Sequence, residues 1–194
     1  MPGVIFSMEN KDKTIICVYA TRLFMNDDVN PCLSGSDSNG VPYGARLKRL
    51  REAAGISPQE VARLVGLNVP SYFDAELCEG ELNSALYLRE LAQLAAVFSI
   101  PTSQLFEDRK PKQNAIAPYE LVELIKNHLN TSHTTLERLE DKIGYEIKGS
   151  IDNPKSVLNW NVDVLRFVCE EVGVDWLSVL PVSAAGDNKR VSPA

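Results

Sequence analysis

The residues able to do chemistry are few and of few types. The chain carries two histidines, His128 and His133, and four scattered cysteines, Cys17, Cys32, Cys78 and Cys169. Metal sites need ligands paired at short spacing, and no such pairing occurs here. Unpaired cysteines are expected as free thiols in a reducing, cytoplasmic setting. Glu137, Glu140 and Asp141 follow His133, with Glu137 and Asp141 one helical turn apart. A solvated helix face accounts for them, and no nucleophile–base pair accompanies them. An enzyme is therefore not expected, nor any cofactor. What remains is a run of cations, Arg46, Lys48, Arg49 and Arg51, and the chemistry open to it is attraction of phosphate or carboxylate.

That run lies in a stretch with strong local signals, GARLKRLREAAGISPQEVARLVGLNVPSYFDAE, residues 44–76. Ala45, Leu47, Leu50 and Ala54 mark a first helix over 45–54, which Gly55 can close in the left-handed conformation. Ser57, Pro58 and Glu60 form a helix start with proline at its first position and a capping box. Val61, Leu64 and Val65 follow at helical spacing. Gly66 ends this second helix, and Asn68 can cap a third over 69–78. Three short helices with such tight breaks predict a helix-turn-helix. A polar segment over 79–83 then precedes SALYLRELAQLAAVFS, expected as an amphipathic helix over 84–99. Pro101 to Phe106 closes the block.

The rest of the 194 residues divides on composition. Residues 1–42 are expected as an arm and linker, extended or disordered, although Lys13–Phe24 has strand-like composition. The helix-turn-helix block covers 43–108, a charged and proline-bounded linker 109–118, a second helical block 119–181, and a small polar tail 182–194. In the second block a helix runs from Tyr119 to Asn130, another closes at Gly144, residues 145–161 connect irregularly, and a final helix starts at Val162. Trp160 and Trp176 are expected to anchor its core. The blocks align at a shift of 75 positions, which sets Ser57 on Ser132 and Leu64 on Leu139, changing to 74 near the end, where Leu91 meets Leu165. The fold class expected is all-α. No apolar run approaches the roughly 20 residues that span a bilayer, so no membrane association is expected, and no secretory signal is expected either, because no basic region followed by a long apolar stretch opens the sequence.

Residues 44–106 resemble the Cro/lambda-repressor-like, or XRE-type, helix-turn-helix family. The resemblance rests on Arg46, Leu47, Leu50 and Arg51 in the first helix, Ser57, Glu60, Val61 and Ala62 in the second, then Gly66 and Glu76. Leu91, Ala95, Phe98, Ile100, Leu105 and Phe106 carry the closing element. It implies a lambda-repressor-like five-helix domain followed by a similar block, and a repressor-like transcription regulator. The implied partner is double-stranded DNA, with a homodimer or a protein partner meeting the second block. Candidate base contacts are Gln59, Asn68, Val69, Ser71 and Asp74, and candidate phosphate contacts are Arg46, Lys48, Arg49 and Arg63. Glu76 is implied to be structural.

This chain departs from the pattern where DNA would be read. Pro58 stands where a glutamine is usual, which leaves Gln59 one place off. The third helix begins Asn68-Val69-Pro70-Ser71, with no Arg or Lys to pair with guanine. Acids but no bases follow to Glu81, and the net charge is −6. The alternative reading is a repurposed helix-turn-helix that binds protein, as an antitoxin-like, immunity-like or scaffold module.

Overall fold

The computed structural model describes residues 36–78, 80–108 and 115–181. The strand-like run 13–24, most of the expected arm, linker residues 109–114 and the tail from 182 lie outside the described residues. Those described are all-helical, with nine α-helices and three 3-10 turns. None of the helices among them is long and apolar enough to cross a membrane.

The first block contains α1 (Tyr43–Ala53), α2 (Pro58–Val65), α3 (Val69–Leu77), α4 (Glu81–Ser84), α5 (Leu88–Val97) and a 3-10 turn, Thr102–Leu105. α2 starts and stops where its residues dictate. Ser57 Oγ accepts the Glu60 amide at 3.2 Å, and Gly66 takes φ 78° at the other end. Asn68 Oδ1 likewise accepts the Ser71 amide at 2.8 Å to start α3. Helix α3 packs on α1 and α2, and α2 on α5. Gly44 makes the α1–α3 approach possible, because a Cβ there would lie 2.7 Å from the Glu76 carbonyl oxygen.

Three local expectations are corrected. The amphipathic run 84–99 is not one helix: α5 begins only at Leu88, after Tyr87, whose amide donates to the Glu90 carboxylate at 2.9 Å and which forms an antiparallel bridge with Asn161 of the second block. The polar segment 79–83 includes the start of α4, which buries Leu82 and Asn83. The expected linker does not extend to residue 42: the Asp37 carboxylate is buried and accepts the Asn39 and Val41 amides at 2.8 and 2.9 Å.

The second block contains α6 (Pro118–Ser132), α7 (Leu136–Ile143), α8 (Lys148–Asp152), a 3-10 turn Pro154–Asn159, α9 (Val162–Val172) and a closing 3-10 turn, Trp176–Ser178. Helix α6 runs past Asn130 to Ser132 and ends on His133, at φ 53°. The stretch 145–161 is more regular than expected: Glu140 Oε1 accepts the Ile147 and Lys148 amides at 2.7 and 2.8 Å, and so caps α8.

These caps correct the alignment. Ser132 is helical, and the residue that caps α7 is Thr135, whose Oγ1 accepts the Arg138 amide at 3.2 Å. Ser57 and Thr135, Gly55 and His133, and Gly66 and Gly144 are each 78 positions apart, with matching cap or left-handed geometry. The shift of 75 preserved the apolar period, but an apolar period alone does not fix where a helix stops. From the α5 start onward the spacing is 74: Tyr87 with Asn161, and left-handed Ser99 (φ 56°) with Gly173 (φ 72°).

Both blocks feed one continuous core. Leu47, Val61, Tyr72, Leu91 and Phe106 belong to it together with Ile125, Leu139, Trp160, Leu165 and Val168. Phe106 links the blocks directly, edge-to-face with Tyr43 at 5.1 Å and with Trp176 at 5.2 Å. Thr102 Oγ1 donates to the Pro181 carbonyl at 2.6 Å.

Two consequences concern stability. Ser99 and His133 hold the left-handed conformation that disfavours residues with a Cβ. Ser99→Gly and His133→Gly should each raise stability by about 1 kcal/mol, read from urea midpoints, whereas a β-branched residue at either position should lower it. Burial pushes the Cys169 thiol up to about 12 and also raises the Tyr72 phenol, whose charged form the neighbouring Glu76 further disfavours. In the unfolded chain both groups ionise at lower pH, so above about pH 9 the unfolded state binds fewer protons and stability falls as pH rises towards 12. Urea midpoints should therefore be lower at pH 11 than at pH 8. A flat profile would mean that these groups are not sequestered.

Candidate nucleic-acid interface

The run of cations that opened the question is divided by the fold. Arg46 is turned inward, and its side chain is only 11% exposed. Its Nε donates to the Gln104 carbonyl at 2.7 Å, its guanidinium binds Asp108, and Asp37 stands 3.8 Å away. The Arg46 charge in turn holds the Asp108 carboxyl below its usual range. A phosphate would have to compete with Asp108 and Asp37 for the Arg46 guanidinium.

Arg51 does not lie on an outer face either. Its Nε and NH2 donate to the two Glu76 carboxylate oxygens at 2.6 and 3.1 Å, and NH1 reaches the Ile56 carbonyl at 3.2 Å. The two side chains are 11% and 2% exposed, so this is a buried, bidentate bridge between α1 and α3. Tyr72 packs beside it, fully buried. The bridge positions the third helix and gives Glu76 a structural task.

The remaining candidates are at the surface. Lys48, Arg49 and Gln59 are exposed. Arg63 is exposed but forks onto Glu60 at 2.7 and 2.9 Å, which holds the Glu60 carboxyl below its usual range. A phosphate would have to compete with that carboxylate for Arg63. Asn68 is exposed, yet its carbonyl oxygen is engaged by the Ser71 amide, so its amide nitrogen is the group left to read a base edge. Val69 is half-buried and packs on the core. Ser71 is half-buried, and Asp74 is exposed.

What α3 shows to solvent is apolar and acidic. Pro70, Asp74 and Leu77 are its exposed residues, and Leu77 is 69% exposed. Leu64 on α2, expected inside, is 48% exposed, because the buried face of α2 is Val61, Ala62 and Val65.

Among the described residues no group of His, Cys, Asp and Glu could hold a metal ion. A polar concavity of about 580 Å³ lies between α6, α7 and α9 and is lined by His128, Arg138, Lys142 and Glu171, of which Lys142 is bound to Glu171 at 2.5 Å. Glu137 and Asp141 are exposed beside it. Compared with protein-family models, curated proteins and solved structures, the chain matches none.

Proposed function

We propose that this chain is a tandem helix-turn-helix protein of the lambda-repressor-like kind, and that its first block is the DNA-contacting unit of a transcription regulator. The observation that carries the reading is the α2–α3 unit. Two side-chain-capped helices are joined through left-handed Gly66, and α3 is fixed to α1 by the Arg51–Glu76 bridge. A unit of this form lays its recognition helix, here α3, in the major groove while the preceding helix, here α2, crosses the backbone. The matching cap positions 78 and 74 residues on support a second copy of the same unit.

On this reading Lys48, Arg49 and Arg63 supply the phosphate attraction, and Gln59, Asn68 and Ser71 supply limited base readout. Few cations mean few released counterions. Each neutralised phosphate contributes about −0.9 to the slope of log K against log salt, so three contacts give a slope of about −2 to −3. Gel shifts with genomic fragments across a salt series measure this slope. Loss of all binding at the lowest salt would remove the DNA reading.

A second reading is favoured by one observation: α3 turns Pro70, Asp74 and Leu77 outward and carries no cation. Such a face suits a protein partner better than a polyanion, as in an antitoxin-like or scaffold module. In that case the Leu77→Lys variant should lose the partner, whereas on the DNA reading the added charge should tighten duplex binding.

A further inference from the structure

The contact between the two blocks has the form of a two-fold interface. Tyr87 and Asn161 are equivalent residues: each immediately precedes its helix, α5 or α9, in extended backbone. They pair with each other as an antiparallel bridge. Two equivalent residues that pair antiparallel lie across a local two-fold axis. The packing of elements around the axis is reciprocal, although the two hydrogen bonds that cross it are not mates of each other. Helix α4 packs on α9, and the 3-10 turn 154–159, which occupies the place of α4 in the second block, packs on α5. Leu88 donates its amide to the Trp160 carbonyl at 2.8 Å, and Asn161 Nδ2 donates to the Ser84 carbonyl at 2.8 Å. Beyond the axis the two copies remain in step. Ile100 donates its amide to Ala95 at 3.0 Å, and Val174 donates its amide to Cys169 at 2.8 Å.

The second block does not copy the reading edge. At the 78-residue spacing, Gln59, Arg63 and Asn68 are replaced by Glu137, Asp141 and Glu146, all exposed. Three carboxylates at those positions repel phosphate where the first block attracts it. The cap of α2 is retained as Thr135 and the buried Leu47 as Ile125, while three of the contact positions turn acidic, Arg49 and Ser71 give way to Asn127 and Gly149, and only Lys48 keeps its charge, as Lys126.

We infer that the second block stands in the place of a partner subunit: it fills the two-fold interface from within the chain and does not itself read DNA. An isologous patch already covered by its own counterpart is closed to a second chain. The protein is therefore a monomer that engages one half-site, not a symmetric dimer on two. The half-site clause rests on the DNA reading proposed above, and the monomer clause does not.

Sedimentation equilibrium of the full chain tests the monomer clause. The expected mass is 21.5 kDa at all concentrations, and a reversible species of twice that mass would overturn the inference. The variant carrying Tyr87→Cys and Asn161→Cys adds a geometric test. Residues paired in an antiparallel bridge have Cα atoms about 4.5–5.5 Å apart, within disulfide range. After mild oxidation, peptide mapping should find the 87–161 disulfide in the monomer band of a non-reducing gel. The same disulfide joining two chains would mean that the blocks pair between molecules, and would equally overturn it. If this variant fails to fold, the sedimentation of the unaltered chain still decides. On DNA, protection should cover one half-site, and two half-sites spaced by about one helical turn under a single chain would refute the non-reading role. A monomer that binds no duplex would defeat the DNA reading while the internal interface stood.

Discussion

Arg51→Ala should destabilise the protein by about 3–5 kcal/mol, the cost of leaving a buried carboxylate without its partner. Glu76 is only 2% exposed, and both of its oxygens are taken by Arg51. Once Arg51 is gone, no cation remains bound to that carboxylate, which the fold holds almost wholly out of solvent. Glu76→Ala should cost less, because the Arg51 guanidinium keeps the Ile56 carbonyl at 3.2 Å and the Glu52 carboxylate at 3.8 Å. The double replacement Arg51→Met with Glu76→Leu should recover much of the loss, since removing both charges removes the desolvation cost together with the attraction. Urea unfolding of the three variants measures this. Equal losses in the single and double variants would mean that packing, not charge pairing, sets the cost. The prediction bears on function too, because the bridge holds the third helix in place: Arg51→Ala should weaken any ligand of α3 even at temperatures where the protein remains folded.

The contrast between Arg51 and Lys48 explains what the sequence reveals and what it conceals. Several helix limits were legible from local signals, but the α6–α7 break was misread even though its cap, Thr135, is local. Ser57 and Gly66 bound α2, and Gly144 and Gly173 end α7 and α9, because a cap acts on amides within a turn of itself. Another limit was misread where a distant partner takes part. At the start of α5, Tyr87 pairs with Asn161, which no local period reports, while the Glu90 carboxylate accepts the Tyr87 amide at 2.9 Å. The direction of each cation was hidden for the same reason. Arg46 and Arg51 look like Lys48 and Arg49 in a helical run, yet their partners Asp37, Asp108 and Glu76 lie in other segments and draw two of the four inward. Half of the expected basic face was thus scaffold. The resemblance to a helix-turn-helix family flagged Glu76 as structural, but the geometry was needed to identify its partner as Arg51.

Trp160→Ala should cost about 3–5 kcal/mol, and it should unfold both blocks together. Trp160 is 2% exposed and is among the largest fully enclosed side chains. Its indole Nε1 donates to Ser150 Oγ at 2.9 Å, and that oxygen also lies 3.0 Å from Ser156 Oγ. Its carbonyl meanwhile accepts the Leu88 amide from the first block. The side chain thus fills the second block while the backbone joins the two. Trp176, expected at sequence level to be an equal anchor, is only half-buried. It packs edge-to-face on Phe106 and carries the Arg166 guanidinium 5.6 Å from its ring centre. Those contacts are worth about 0.5–1.5 and about 0.5–1 kcal/mol, so Trp176→Ala should cost clearly less than Trp160→Ala. Because the blocks share one core, far-ultraviolet circular dichroism and the fluorescence of the remaining tryptophan should report one coincident transition in each variant. Separate transitions, with the first block still folded after Trp160→Ala, would mean that the blocks are energetically independent. The internal two-fold interface would then contribute little to stability, because its contacts would open without cost to the α2–α3 unit.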